Sequence, residues 1–247
     1  MKKYRMKKIL ELNNFLDKHI NLKQIKERNN YDLIYKIVDT VLIRYKTNFS
    51  TIDSFDSQKY KEYVDSIVDY IDEYLLKQED ISLNILLSLH YNIMISLTTT
   101  EQIEKKYIWA LREKSKFISA ATVEWKRIRR WFTAPKFIKK EIKNSIIILN
   151  DELKTNNKEK QFNAIIHFVL FNLFITHPFD NGNDKTFSIL LDVLLYKYDF
   201  FPSFIKKEIF KNMLYKTYAK YSPENNFEKL KQDFKNDIKY IYTHYQM

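Results

Sequence analysis

The sequence has no cysteine and only one glycine among its 247 residues. Without cysteine the chain can form no disulfide, no zinc-thiolate site and no thiol nucleophile. With one glycine and four prolines, it also has few of the residues that mark tight turns and strands. These shortages favour a predominantly helical protein without thiol chemistry.

A long hydrophobic run is lacking as well. The most apolar stretch, residues 162–175, is interrupted by Asn163, His167 and Asn172, and it is shorter than the roughly 18 to 20 residues that a membrane span requires. The first residues contain no apolar core of a secretory signal. We therefore expect a cytoplasmic protein with no membrane partner, while delivery into another cell without a classical signal stays open.

The chain has an excess of positive charge, with a formal net charge of +11 at pH 7. Such a charge attracts nucleic acid, acidic lipid or acidic protein. The lysines are spread along most of the chain, which favours solvated helix faces over a nucleic-acid surface. A hydrophobic content of 45% suffices for one large domain, or for one domain with a helical extension.

The spacing of apolar residues predicts helices along most of the chain. In two early segments they recur at intervals of three and four, which puts them on one helix face. The first set is Tyr63, Val64, Ile67, Val68, Ile71, Tyr74 and Leu75, and the second is Leu83, Leu86, Leu87, His90 and Met94. A further helix is predicted from Pro135, since proline suits a first helical turn, to Leu153. The polar run 154–160 is predicted to be a loop.

Two strongly apolar helices are predicted next to each other in the second half of the chain. Residues 161–176 are apolar almost all round, which predicts a helix buried on most sides, and residues 188–196 predict a second one. Residues 117–131 differ, since their β-branched and aromatic residues lack a helical period and predict a short hairpin. His90 and His167 lie on apolar helix faces and are interpreted as core or boundary histidines.

The only glycine, Gly182, lies between two asparagines in the turn between the two apolar helices. In a chain so poor in glycine, this position is expected to need a positive φ or a close backbone approach. A glycine that opens a helix also lets successive N–H groups converge on an anion. Asn183 could donate to a phosphate, Lys185 could neutralise one, and His177 could accept a proton from a hydroxyl. These residues point to phosphate transfer, but the same spacing is equally typical of a plain helix–loop–helix turn with capping residues.

A resemblance to a known family favours the first interpretation. Residues 177–185 read His-Pro-Phe-Asp-Asn-Gly-Asn-Asp-Lys, which resembles the Fic signature His-Pro-Phe-x-Asp/Glu-Gly-Asn-Gly-Arg with a further Arg shortly after it. Residues 81–90 are similar to the family's helix that ends in Leu-His. Residues 115–131 occupy the place of its substrate-docking β-hairpin, or flap, and Phe-Thr-Ala-Pro at 132–135 resembles the start of its next helix. The match therefore covers residues 81–200 in order.

The resemblance implies an all-α fold, a Fic-like helical bundle with a short β-hairpin flap. The expected organisation is an N-terminal helical extension at residues 1–80, a Fic-like (Fido) core at 81–200 and C-terminal helices packed on the core at 201–247. It also implies a protein adenylyltransferase, which would take ATP as donor, with magnesium, and transfer AMP to a hydroxyl of a target protein. That target would dock at the 117–131 flap.

Roles can be carried over to single residues of this sequence. His177 would be the general base, and Phe179 would anchor the loop in the core. The expected nucleotide-binding residues are Gly182, Asn183, Asp184 and Lys185, and the expected metal position is Asn181.

Four positions in and just after the motif depart from the family pattern. The acidic magnesium ligand is Asn181, so the metal would be held more weakly; the second glycine is Asp184, and the two arginines are Lys185 and Ser188. A carboxylate at position 184 competes with phosphate for the helix N-terminus, and lysine lacks the bidentate fork of arginine. Three functions therefore stay open: adenylyl transfer, transfer of another phosphate-containing group, and a catalytically impaired Fido-fold interaction module.

Overall fold

The computed structural model describes residues 30–46, 57–95, 110–121, 127–200, 202–203, 228–229 and 231–236. Within these ranges the chain is mostly helical. The helices are α1 (Asn30–Lys46), α2 (Ser57–Tyr70), α3 (Leu83–Ile95), α4 (Pro135–Leu153), α5 (Lys158–Phe171) and α6 (Asn183–Lys197). Further helical residues occur at 228–229 and 231–236. None of the described helices has the length and apolar character needed to cross a membrane.

Helices α5 and α6 form the centre of the fold, as their apolar sequences predict. Both bury residues on most sides, and α5 continues into a π-helical turn at Asn172–Thr176. The predicted 154–160 loop is shorter than expected, because α5 begins at Lys158. Asn157 provides the reason, since its side chain accepts a hydrogen bond of 3.1 Å from the Lys160 N–H and caps the helix. The α4 helix has the predicted bounds.

Helix α2 also ends in a π-helical turn, at Ile71–Leu75, and this corrects one expected core position. Ile71 and Leu75 are buried, but Tyr74 is 53% exposed although the spacing put it on the apolar face. A π-helical turn contains more residues than an α-helical one, so it rotates the side chains that follow away from the α-helical register. Tyr74 stacks on Tyr70 at the surface, with 5.4 Å between the ring centroids.

The first two helices pack into the same hydrophobic core as the central pair. Tyr63 of α2 is buried and donates a hydrogen bond of 2.6 Å from its hydroxyl to the Ile93 carbonyl of α3. Between α4 and α3, the Asn150 side chain bonds both backbone groups of Ile81, at 3.0 and 2.8 Å. Asp192 of α6 accepts hydrogen bonds from Ser203, which follows the helix. The domain bounds 1–80, 81–200 and 201–247 stay predictions.

A two-stranded antiparallel ladder occupies the predicted hairpin. Strand β1 (Phe117–Ala121) pairs with β2 (Arg127–Trp131), with Ser119 opposite Arg129 at its centre. The intervening residues 122–126 lie outside the described residues. At the base of the ladder, the Phe132 N–H donates a hydrogen bond of 3.0 Å to the Lys116 carbonyl and so joins the two flanking segments. The Thr133 N–H donates another of 3.0 Å to the Ile175 carbonyl and so joins the ladder to the core. The flap base therefore lies beside the end of the α5 segment.

Candidate functional site

His177 lies where the π-helical turn ends, in a backbone conformation that is uncommon for a residue with a side chain. Its φ is +45°, in the left-handed region, and its N–H donates a hydrogen bond of 2.8 Å to the Asn172 carbonyl. This bond spans five residues and so closes the π-helical turn. The left-handed residue ends the helix and starts the loop that the apolar run of α5 leads into.

The His177 imidazole is held on one nitrogen and on one face. Nδ1 lies 3.1 Å from the Leu173 carbonyl oxygen, and the ring stacks on Phe132, with centroids 4.0 Å apart and planes at 8°. A carbonyl oxygen can only accept, so Nδ1 carries the hydrogen and the lone pair of the neutral ring is on Nε2. Burial lowers the pKa of His177 to about 4. The ring is therefore neutral at pH 7 and can accept a proton through Nε2.

Phe179 anchors the loop in the core, in the position expected from the sequence. It is fully buried, and its ring stacks on the imidazole of His90, with centroids 3.7 Å apart and planes at 2°. His90 is buried too, as expected, and its Nδ1 lies 3.0 Å from the Thr186 hydroxyl. Burial, and then the charge of Lys185, lower the pKa of His90 to about 3. The stack fastens the loop to α3 and α6 together.

Asn183 bonds the backbone of the loop with its side chain, and its expected part in nucleotide binding stays a prediction. Its side chain accepts a hydrogen bond of 3.0 Å from the Phe179 N–H and donates one of 2.8 Å to the Phe179 carbonyl. The residue is buried. Its amide therefore closes the loop onto the start of α6, where the backbone N–H groups of the first turn have no intrahelical acceptor.

Gly182 meets both conditions that the sequence predicts for it. Its φ is +75°, and it immediately precedes α6. A Cβ at this position would lie 2.3 Å from the Met94 sulfur and 3.1 Å from the His90 Cε1. Its carbonyl accepts the first hydrogen bond of the helix, from the Thr186 N–H at 3.0 Å. The glycine is required by its backbone conformation and by the close packing of α3.

The first turn of α6 carries two opposite charges close together. The Lys185 Nζ lies 3.9 Å from an oxygen of Asp184. Of these two charges, Asp184 acts on the candidate base, since its carboxylate raises the pKa of His177. The N–H groups of a first helical turn have no intrahelical acceptor, and they form an anion site where the helix dipole is positive.

The residues at the expected metal position do not suit magnesium. The Asn181 side-chain oxygen accepts a hydrogen bond of 2.8 Å from the Gly182 N–H. Asp180 is engaged elsewhere, because Lys116 donates to its carbonyl oxygen and lies 3.7 Å from its carboxylate. Within the described part of the chain there is no group of three His, Cys, Asp or Glu residues that could hold a metal ion. Magnesium prefers carboxylate and water oxygens in near-octahedral order, and the expected position offers a neutral amide that is already bonded to the Gly182 N–H.

Three neighbours of the loop were missed by sequence reasoning. The Arg112 guanidinium bonds the His177 carbonyl, Lys116 bonds Asp180, and Phe132 covers the His177 ring. All three belong to the segments on either side of the hairpin. Nothing in their spacing marks them, since they meet the loop only through tertiary contacts.

Comparisons with known proteins find the fold but no close relative. No protein-family model and no curated protein matches the chain. Among solved structures, a fragment of Fic-1 from C. elegans matches 100% of this chain and 73% of that chain, with a TM-score of 0.53 and 16% identity. A Fic-domain-containing signaling protein from Bacteroides thetaiotaomicron matches 87% of this chain and 94% of that chain, with a TM-score of 0.52 and 13% identity. The chain therefore has the helical fold of Fic (Fido) domains, which confirms the all-α fold class that the resemblance implies.

Proposed function

We propose that the chain is a protein adenylyltransferase that transfers AMP from ATP to a hydroxyl side chain of a target protein. The observation that carries this proposal is the state of His177: a neutral imidazole that donates through Nδ1 to the Leu173 carbonyl, at 3.1 Å, and keeps its lone pair on Nε2. A general base needs this tautomer and this protonation state at neutral pH.

The proposed reaction consists of one proton transfer to His177 and the replacement of one P–O bond by another. His177 Nε2 takes the proton of the target Ser, Thr or Tyr hydroxyl as its oxygen attacks the α-phosphorus of ATP. A new P–O bond forms to the target, the bond between the α-phosphorus and the bridging oxygen breaks, and pyrophosphate leaves. The products are an AMP-modified protein and pyrophosphate, with the proton on His177 passing to solvent afterwards.

The loop supplies the electrostatic contribution. The first-turn N–H groups after Gly182 suit a phosphate, because they converge at the positive end of the α6 dipole. Lys185 adds a cation in the same turn, as a point charge without the fork of arginine. Because the side chains at residues 180–181 do not suit magnesium, no step of this mechanism depends on the metal.

Docking of the target at the flap is the second part of the proposal. A two-stranded sheet has two edges, and an extended peptide can add a strand to such an edge through main-chain hydrogen bonds. The flap base is bonded to Ile175, two residues before His177, through the Thr133 N–H at 3.0 Å. A strand added to this ladder would present its side chains near the base.

The test compares two forms of labelled ATP in a lysate that contains candidate target proteins. Adenylyl transfer labels a protein from α-labelled ATP and not from γ-labelled ATP, whereas phosphate transfer does the reverse. His177→Ala and His177→Asn should lose about 10²- to 10⁴-fold of the rate, the usual loss when a general base is removed. Asn is included because it tolerates the left-handed backbone of this position.

The matched control is His167→Ala, which removes a half-buried histidine of α5 that has no part in the loop. Circular dichroism checks that each variant is folded. Undiminished labelling by folded His177 variants would remove His177 from the mechanism. Label from γ-labelled ATP alone would replace adenylyl transfer by phosphoryl transfer.

A second candidate function is a catalytically impaired interaction module, and Asp184 favours it. A carboxylate in the first turn of α6 occupies the place where the dipole favours an anion, and it lies 3.9 Å from the cation of Lys185. The two residues can therefore satisfy each other without a nucleotide. Calorimetry with ATP separates the candidates, because the impaired module would show neither ATP binding nor label from either form.

A further inference from the structure

Arg112 holds three successive carbonyl groups of the loop that carries His177. Its guanidinium donates to the His177 carbonyl at 2.7 Å from Nε and to the Thr176 carbonyl at 3.2 Å from an Nη. Its backbone N–H donates to the Pro178 carbonyl at 2.8 Å. The residue is only 2% exposed. One buried side chain and its own backbone thus fix the peptide groups before and after the histidine.

The same guanidinium reaches both sides of the flap base. One Nη donates to the Lys114 carbonyl at 2.8 Å, and the other donates to the Thr133 carbonyl. Residue 133 in turn bonds the Ile175 carbonyl through its N–H, at 3.0 Å. Arg112 therefore joins the segment before the flap, the segment after it and the histidine loop. Few side chains other than arginine present several donors in one rigid plane.

The backbone of His177 needs such support. A left-handed conformation is unfavourable for a residue with a Cβ, and it persists where the surroundings over-determine it. At φ +45°, the direction of the His177 side chain depends on this conformation. The ring can stack on Phe132 and bond the Leu173 carbonyl only if the backbone of His177 directs its side chain toward these two residues.

We propose that Arg112 is a positioning residue, which fixes the left-handed backbone of His177 and thereby the place of Nε2 relative to the α6 N-terminus. The inference rests on the proposed role of His177 as the general base. The task requires the geometry of the guanidinium and not its charge alone. A lysine at this position keeps the charge but cannot reach four carbonyl oxygens with one ammonium group.

The test is Arg112→Lys in the full chain, with Asn150→Ala as the matched control. Asn150 also bonds two backbone groups with one side chain, at Ile81, but it does not touch the loop. Thermal unfolding shows how far each variant is destabilised. If Arg112 positions the base, Arg112→Lys lowers kcat by about 10²-fold, as misplacement by about 1 Å can do, while KM for ATP changes little and Asn150→Ala keeps its kcat.

A second readout does not depend on activity. The ¹³C resonance of the His177 ring, assigned by its loss in His177→Asn, is titrated in wild type and in Arg112→Lys. Burial, Lys116, Arg112 and Asp184 act on this ring in the wild type. Because lysine preserves the charge, a rise of the midpoint from about 4 toward the ordinary histidine value reports that the ring has left its buried position. The control should titrate like the wild type.

The outcomes separate the two proposals. If the wild type transfers no label, adenylyl transfer fails, yet a changed His177 titration in Arg112→Lys still supports the positioning role. If the wild type is active and Arg112→Lys keeps both its kcat and its titration midpoint, the positioning role is refuted. Should Arg112→Lys not fold, slow hydrogen exchange of the Arg112 Nε–H in the wild type supports the bond to His177, and exchange at the rate of a free arginine refutes it.

Discussion

Replacing Gly182 by alanine tests whether the loop requires glycine for two separate reasons. The backbone has φ +75°, where an L-residue other than glycine costs roughly 1–2 kcal/mol. The added Cβ would also lie 2.3 Å from the Met94 sulfur and 3.1 Å from the His90 Cε1, and overpacking of a buried site costs about 1–3 kcal/mol. The free energy of unfolding should therefore fall by about 2–5 kcal/mol in Gly182→Ala.

A second substitution separates the two costs. Met94→Ala alone creates a cavity and should cost about 2–5 kcal/mol, but it removes the sulfur that the new Cβ would meet. The double variant Gly182→Ala/Met94→Ala should then lose less than the sum of the single losses, by about 1–3 kcal/mol. The backbone cost stays, because no change at position 94 alters φ at position 182.

Asparagine at position 182 serves as the matched control, since it tolerates positive φ better than alanine but also carries a Cβ. Urea unfolding followed by circular dichroism gives each free energy. If the clash dominates, Gly182→Asn is at least as unstable as Gly182→Ala. Losses that add to within about 0.5 kcal/mol in the double variant would refute the steric part of the reasoning, and a Gly182→Ala protein as stable as wild type would refute both parts.

Three further outcomes follow from the loop and the flap. The pKa values of His177 and His90 are lowered to about 4 and about 3. As pH falls below about 6.5, the two histidines are therefore protonated in the unfolded chain but stay neutral in the folded protein. The free energy of unfolding should therefore decrease as pH falls from about 6.5 to about 4, and urea titrations at several pH values should show a smaller decrease in His90→Gln. Asp184→Gly should tighten ATP binding by about ten- to a thousandfold in calorimetry, because it removes a negative charge near the phosphates. Val123→Pro, in the flap but outside the described residues, should weaken target labelling more than ATP binding, since proline removes a backbone donor; equal losses would contradict docking there.

The central helices and the glycine were predictable because their signals are local. An apolar run such as residues 161–176 has little polar surface to place in water, which favours a helix buried on most sides. A single glycine in a chain of 247 residues marks a backbone requirement, and Gly182 has the expected positive φ. The fold class followed from the order of such segments together with the motif.

The register of the helices was harder to predict. Periodicity assumes 3.6 residues per turn, but two of the helices that the structure describes end in π-helical turns, at Ile71–Leu75 and Asn172–Thr176. Such a turn shifts the register of the residues in it and after it, so Tyr74 lies at the surface and the His177 N–H reaches the Asn172 carbonyl at 2.8 Å. A sequence pattern of a few residues does not distinguish the two kinds of turn.

The polar contacts that support the loop could not be predicted from the sequence. Arg112 is separated from His177 by 65 positions, and its neighbours are as charged as any surface segment. Nothing in the sequence indicated that the Asn183 side chain would bond both backbone groups of Phe179, four residues earlier. A motif names the residues of a loop, whereas the partner of each polar group depends on which elements the fold brings beside it.

Asp184 acts on both halves of the proposed reaction, and in opposite directions. Its carboxylate would repel the phosphates of a bound ATP, but it also raises the pKa of His177, which burial, Lys116 and Arg112 lower. When His177 takes the proton of the target hydroxyl, the imidazolium that forms is stabilised by a nearby negative charge. Removing that charge should therefore favour nucleotide binding and disfavour proton transfer. If Asp184→Gly raises both the affinity for ATP and kcat, Asp184 impairs the site. If it raises the affinity but lowers kcat, the carboxylate contributes to catalysis.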